Sequence, residues 1–279
     1  MQRRSILCPN CRLLISGDEK RCPYCGTPNP NSPWRRVFSL ALLNDPRLLL
    51  KALFTVNIAF FILSILLDPM KLGLSANPLT FFSPSSNGLF LLGATGSIPI
   101  DRFGRWWTLI TASYLHGGIL HIFFNMMALR QLAPFVTREF GISRFVIVYA
   151  LTGIAGFYVS YLAGVAFTIG ASASLCGLIG AALYYGKSRG GPYGQAVYRQ
   201  VMGWVVGLIL FGFLVPGINN WAHGGGLIGG IAAGFLLGYE DRKREESYHR
   251  IAAIVLLLCT AAALLWAVVQ ALVVIFRSF

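Results

Sequence analysis

Residues 221–238 read Trp221-Ala222-His223-Gly224-Gly225-Gly226-Leu227-Ile228-Gly229-Gly230-Ile231-Ala232-Ala233-Gly234-Phe235-Leu236-Leu237-Gly238. Gly226, Gly230, Gly234 and Gly238 recur every four residues, which aligns them along one face of a helix. Inside a bilayer, helices associate by side-chain packing rather than by escape from water, so a ridge of small residues marks a place of close approach. One histidine stands at the head of the stretch. The pattern predicts a buried membrane helix carrying a single chemically active side chain near its N-terminal end.

The surrounding sequence agrees with that setting. Of 279 residues, 56% are hydrophobic and only 12% charged, about half the charged share of a soluble domain. Hydropathy predicts seven spans, at about 51–67, 114–133, 142–164, 171–187, 196–215, 222–239 and 251–276, each near the ~20 residues that cross a bilayer. The fourth and sixth are short and rich in Ala and Gly, as expected of helices enclosed by others. The fold class that follows is an all-α polytopic membrane protein.

A net charge of +13 raises the question of nucleic acid, but the Lys and Arg residues flank apolar segments, which points to topology and anionic lipid instead. The segment before the first span is basic. So is every second connection: Arg130, Arg138 and Arg144, then Lys187, Arg189 and Arg199, then Arg242, Lys243, Arg244 and Arg250. The other side holds only Lys71, Arg102, Arg105 and Arg277. The positive-inside rule then places the N-terminus in the cytoplasm and the C-terminus outside. Residues 1–36 show no apolar h-region, so no secretory signal peptide is expected. Residues 68–105 form a long connection, expected to lie partly in the outer interface with Trp106 and Trp107 at headgroup level.

Polar side chains within spans are costly and are the first candidates for function. None of the ten acids falls inside an expected span, which weakens a proton-coupled transporter and leaves no acid for a Ser-His-acid triad. His116, His121 and His223 fall in or beside spans, whereas His249 is expected to be a solvated member of a charge run. His121 and Asn125 are four residues apart and share a helix face. Ser172 opens the fourth span after Gly170-Ala171, where free helix N–H groups favour a developing oxyanion. Ser174 is a rival nucleophile roughly 200° around the same helix. Spans two, four and six run in the same direction, so His121 and Asn125, Ser172 and His223 arrive at the same outer end, and the glycine ridge brings the last two together.

The N-terminal region holds a separate constellation: Cys8-Pro-Asn-Cys11, ten residues, then Cys22-Pro-Tyr-Cys25. Two C-x-x-C knuckles supply four thiolates for one tetrahedral Zn²⁺, and so small a module has almost no core without metal. A cytoplasmic position disfavours disulfides, and a paired knuckle fits metal better than redox catalysis. Cys176 and Cys259 are expected to be packing residues. A proline-bearing linker follows the cysteines, and Val37–Leu50 is expected to be a short amphipathic stretch on the inner membrane surface.

The motif H-x-x-x-x-H-x-x-x-N at His116, His121 and Asn125, the G-x-S at Gly170–Ser172, and A-H-x-x-G-x-x-x-G at Ala222–Gly230 together resemble the rhomboid family of intramembrane serine proteases. The resemblance implies a six-helix rhomboid-like core at 51–240 with a seventh transmembrane helix after a basic loop at 241–279. The zinc-ribbon module at 1–28, less usual in the family, and the linker and interfacial segment at 29–50 are read from the residues themselves. The resemblance also implies Ser172 as nucleophile, His223 as its base, and an oxyanion hole from His121, Asn125 and the Ser172 N–H, with His116 nearby. No cofactor is implied for catalysis; Zn²⁺ would be structural. The implied partners are a membrane-protein substrate and the lipid bilayer. The ribbon's role stays open among binding a cytoplasmic partner, binding nucleic acid and folding as a stable cap, and the charge count puts the active-site mouth on the outer side. Three positions depart from the family pattern. Thr108 follows Trp107 where the family has Arg, with Arg105 upstream; Ala173 follows the serine in place of Gly; and Cys176 replaces an aromatic. Thr108 and Cys176 leave open an alternative, a catalytically inactive rhomboid-like protein that binds or escorts membrane clients.

Overall fold

The computed structural model describes residues 5–8, 11, 13–32, 41–74 and 81–277. The chain divides into two compact units, Met1–Leu49 and Leu50–Phe279.

In the first unit, strands β1 (Ser5–Leu7) and β2 (Leu14–Ser16) form an antiparallel hairpin in which Leu7 faces Leu14. The period-two alternation of a strand turns Ile15 inward, where it joins Cys8 and Cys22 in a small core flanked by Ile6, Cys11 and Cys25. The two knuckles open with matching hydrogen bonds: the Cys8 N–H donates to the Leu13 carbonyl at 3.0 Å and the Cys22 N–H to the Thr27 carbonyl at 2.9 Å. Of the expected amphipathic stretch at 37–50, residues 37–40 lie outside the described residues, and Ala41–Leu43 form a 3-10 turn. The part that is described is already helical from Pro46.

The second unit is built on seven long helices at the seven expected spans: α1 (Pro46–Leu66), α2 (Ile119–Phe140), α3 (Ile142–Leu162), α4 (Ser172–Arg189), α5 (Gly191–Leu214), α6 (Asn220–Leu237) and α7 (Ser247–Arg277). Among the described residues, α1, α2, α3, α5 and α7 are long and apolar enough to cross a membrane. The chain is an integral membrane protein. Helices α4 and α6 have 18 residues each and are rich in Ala and Gly; α4 is mostly buried, whereas α6, expected to be enclosed, buries only its small-residue face and leaves Ile228, Phe235 and Leu236 exposed. Small residues suit both helices because α3, α4 and α6 pack chiefly on one another.

The ridge on α6 meets a matching row on α4. A methyl group added to Gly226 would strike the Ala173 carbonyl, one on Gly230 the Gly177 carbonyl, and one on Gly234 would crowd Ala181 and Tyr184. Both rows step by four residues, so the helices run parallel in constant register. Gly156 on α3 closes the third side, against the Ala222 carbonyl and the Gly226 amide. Gly238, the last member of the sequence ridge, plays a different part. At φ +68 it ends α6, with its N–H on the Gly234 carbonyl.

In the connection expected to lie partly in the outer interface, the described residues 68–74 and 81–105, with 106–115 after them, carry regular structure. They contain a hairpin pairing Gly73–Leu74 with Phe81–Ser83, a short helix Ser86–Leu91, a π-helical turn Ile98–Arg102 and a helix Thr108–Thr111. Leu92, Ala94, Thr95, Thr108 and Leu115 are fully buried. Trp106 stays exposed, edge-on to Tyr161 at 5.2 Å.

At the opposite end of the helices, Arg144 is fully buried. Its guanidinium donates to the carbonyls of Phe140, Lys243 and Arg244 and to Glu240 at 3.2 Å. Glu245 accepts from the N–H groups of Ser143 and Arg144, capping α3. His249, expected in solvent, is instead buried at 1% exposure, within 3.4 Å of the Arg144 Nε and bonded to the Glu246 N–H. The charge run is folded inward because it holds the α6–α7 connection to the start of α3, and buried backbone carbonyls there need donors.

Gly230→Val is expected to lower unfolding stability by about 1–3 kcal/mol or more, since neither backbone can yield. Gly207→Ala on α5, where nothing lies within 4 Å of an added methyl, is expected to leave stability unchanged or raise it slightly. Thermal midpoints in detergent check both; equal midpoints would remove the ridge from its role.

Candidate active site

The approach to Ser172 is shaped by Gly170. Its φ of +125 is one that L side chains rarely adopt, and a methyl there would also sit 2.8 Å from the His121 Nε2. The Gly170 N–H is held by the Ala112 carbonyl at 2.8 Å. Ser172 is then the first residue of α4, so its N–H has no partner within the helix. Close to it, the first turn of α6 carries His223, whose Nε2 lies 2.8 Å from the Ser172 Oγ. The other ring nitrogen, Nδ1, is buried without a hydrogen-bond partner.

His121 lies in the first turn of α2. Its Nδ1 accepts the Gly117 N–H at 3.2 Å, which leaves the ring proton on Nε2, the nitrogen facing Gly170. Ser172, His223 and His121 line one cavity of about 590 Å³ together with Phe157, Phe167, Trp221 and Asn219. No carboxylate is among its described lining residues.

The other expected residues are placed differently. Asn125 is buried and its amide donates to the His121 carbonyl at 2.8 Å, within its own helix rather than into the cavity. His116 precedes α2 instead of lying in it, because the helix begins only after Gly117-Gly118. It is fully buried, neither ring nitrogen has a partner, and its ring stands edge-on to His121 at 5.1 Å. Ser174 is buried on the side of α4 facing Gly153 and borders a separate cavity of about 20 Å³ with Ser113 and Tyr149. It is not within reach of the His223 cavity lining.

The comparisons with known proteins bear on these residues. The profile described as Rhomboid domain matches residues 103–240, which includes Ser172, His223, His121, Asn125 and His116. The chain is 35% identical over 147 residues to a protein named Putative rhomboid protease YdcA from Bacillus subtilis (strain 168), covering 52% of this chain and 72% of that protein. The chain belongs to the rhomboid family.

Two further rhomboid relatives are longer. Rhomboid protease GluP of Bacillus subtilis (strain 168) is 34% identical over 184 residues, 66% of this chain but 36% of GluP. RHOMBOID-like protein 6, mitochondrial, of Arabidopsis thaliana is 31% identical over 183 residues, 63% of this chain and 59% of the relative. The match thus spans less than two thirds of either protein's length.

Within the rhomboid fold, the departure at Thr108 has a local answer. Arg105 donates to the carbonyls of Phe90 at 2.6 Å and Leu91 at 3.1 Å, and its guanidinium lies 4.5 Å and 4.6 Å from the Phe90 and Trp107 ring centroids. Partial burial brings its pKa down to about 10, still protonated at neutral pH. Thr108 is buried and donates to the Arg105 carbonyl at 2.6 Å. The upstream arginine therefore anchors the segment through the Phe90 and Leu91 carbonyls. Cys176 is buried one turn below Ser172, against the position a Gly226 side chain would take. An aromatic there would compete with the closest contact of α4 and α6.

In the N-terminal unit, the four sulfur atoms of Cys8, Cys11, Cys22 and Cys25 lie within 4.8 Å of one another. The Cys8–Cys25 and Cys11–Cys22 separations are 3.6 Å and 3.5 Å. Tetrahedral thiolates about 2.3 Å from a metal stand roughly 3.8 Å apart, whereas a disulfide needs about 2.05 Å. The spacing fits a shared metal ion. At Cys25, burial opposes the thiolate, but hydrogen bonds with Thr27 and the neighbouring thiols outweigh it and bring the pKa down to about 6.

Arg105→Ala removes two charge-assisted hydrogen bonds. It is expected to speed amide exchange across residues 89–95 by about tenfold or more; unchanged exchange would mean that the segment is held without the guanidinium.

Proposed function

We propose that this chain is an intramembrane serine endopeptidase that cleaves membrane-protein substrates in or near their transmembrane segments by a Ser172–His223 dyad. The observation that carries the reading is the 2.8 Å separation of the His223 Nε2 and the Ser172 Oγ at the wall of a cavity large enough for an extended peptide. His223 takes the Ser172 proton as Oγ attacks the scissile carbonyl carbon. The oxyanion that forms is met by the Ser172 N–H and the His121 Nε2–H. Asn125 joins them by releasing the His121 carbonyl, and the His116 ring backs that of His121. His223 then passes its proton to the leaving amine, and the acyl-enzyme is hydrolysed by a water that His223 deprotonates. The basic connections support an N-terminus in the cytoplasm and an active-site mouth on the outer side.

Incubated with a labelled transmembrane substrate, wild-type protein is expected to cleave it. Ser172→Ala and His223→Ala are expected to lower kcat by at least about 10³-fold. A fluorophosphonate is expected to label Ser172 in the wild type. Equal cleavage by wild type and Ser172→Ala would overturn the assignment, and failure of both labelling and cleavage would favour a client-binding role.

For the N-terminal unit, we propose that Cys8, Cys11, Cys22 and Cys25 hold one structural Zn²⁺, and that the folded ribbon presents a surface to a cytoplasmic partner. The donor set of four thiolates favours zinc. Purified protein is expected to contain about one zinc per chain by elemental analysis, and Cys22→Ser is expected to lose it. Metal-free wild type that keeps a protected ribbon in amide exchange would overturn the proposal.

A further inference from the structure

We infer that Asn219 is the positioning residue that holds His223 within reach of Ser172, by tying the first turn of α6 to α3 and to the loop leading into α4. The inference rests on the protease reading and adds to it the group that orients the base. A catalytic histidine is ordinarily held by a third group, yet the His223 Nδ1 has no partner. Its ring therefore depends on where the backbone of its own turn sits.

Asn219 sets that turn. Its Oδ1 accepts the Ala222 N–H at 3.0 Å, the N-cap of α6, and its backbone carbonyl accepts the N–H of His223 itself at 3.1 Å. The Nδ2 points outward and donates twice, to the Ser160 Oγ on α3 at 2.6 Å and to the Thr168 Oγ1 at 2.8 Å. Both hydroxyls are buried. A residue that only capped a helix would need the first of these contacts and not the fork.

The far side of the fork is fixed in turn. Thr168 pairs with Thr95 through two backbone hydrogen bonds of 3.0 Å and 2.7 Å, and the Thr95 and Thr108 hydroxyls are hydrogen-bonded to each other at 3.0 Å. Ser172 follows Thr168 by four residues, across the restrained Gly170. One amide thus joins the histidine side to the serine side, and any drift of α6 relative to that loop stretches its hydrogen bonds.

The test uses the full-length protein in lipid with a transmembrane substrate, measuring kcat, KM and thermal midpoint. Asn219→Ser keeps a good N-cap acceptor but lacks the forked amide. It is expected to lose about 10–100-fold in kcat, as a displacement near 1 Å costs, with KM and midpoint little changed. Thr168→Val combined with Ser160→Ala leaves the cap in place and is expected to show the same loss. Adding Asn219→Ser to that pair is expected to cost nothing further. Wild-type kcat in Asn219→Ser, or losses that multiply in the combined variant, would overturn the inference. If Asn219→Ser lowers the midpoint, the Thr168→Val and Ser160→Ala pair decides, since it spares the cap. Failure of the protease reading looks different: wild type would cleave no faster than Ser172→Ala, and the Asn219 assignment would fall with it.

Discussion

The close contact of α4 with α6 is the constraint on which the rest of the structure depends. Backbone carbonyls of Ala173 and Gly177 lie where side chains of Gly226 and Gly230 would be. Only glycine allows this approach, and only a parallel pair of helices with matching steps of four allows it twice. Once the register is set, the N-terminal ends are set with it, and Ser172 and His223 come into hydrogen-bond range. Gly156 on α3 extends the same logic to a third helix, which packs against both α4 and α6.

Enclosure on this scale leaves polar groups that must find partners within the protein, and the two ends of the bundle solve this differently. At one end, the buried Arg144 collects three carbonyls and a carboxylate, fastening the connection between α6 and α7 to the start of α3. At the end bearing the site, threonines, an asparagine and the Arg105 side chain satisfy the loops. The site itself contains a histidine with one nitrogen unbonded and no carboxylate beside it. Around it, the first turn of α6 and the loop leading into α4 are held by hydrogen bonds among Asn219, Ser160, Thr168 and Thr95.

Much of this was legible from residues alone. Hydropathy located the seven long helices among the described residues with ends displaced by up to seven residues, and the motifs around His121, Ser172 and His223 pointed to the rhomboid family. The cysteine spacing pointed to a shared metal site. Other features were not legible. Gly238 shares the ridge's spacing yet ends the helix, because a four-residue period does not say where a helix stops. His249 and Arg144 read as loop charges, and nothing local indicates that the loop folds back over them. Arg105 stood at the wrong place for the family pattern, and its reach to the Phe90 and Leu91 carbonyls depends on how residues 86–111 coil.

The amino-acid sequence by itself determined which segments enter the membrane, which helix faces approach closely and which side chains have chemistry to offer. These are properties of composition and period, carried by each segment alone. Tertiary structure decided which of those side chains meet. It gave His223 to Ser172 rather than to Ser174, turned the Asn125 amide onto its own helix, and placed Asn219 between the two halves of the site. Such choices depend on the register and rotation of helices against one another, which arise from packing between segments distant in the chain and leave no local trace in any one of them.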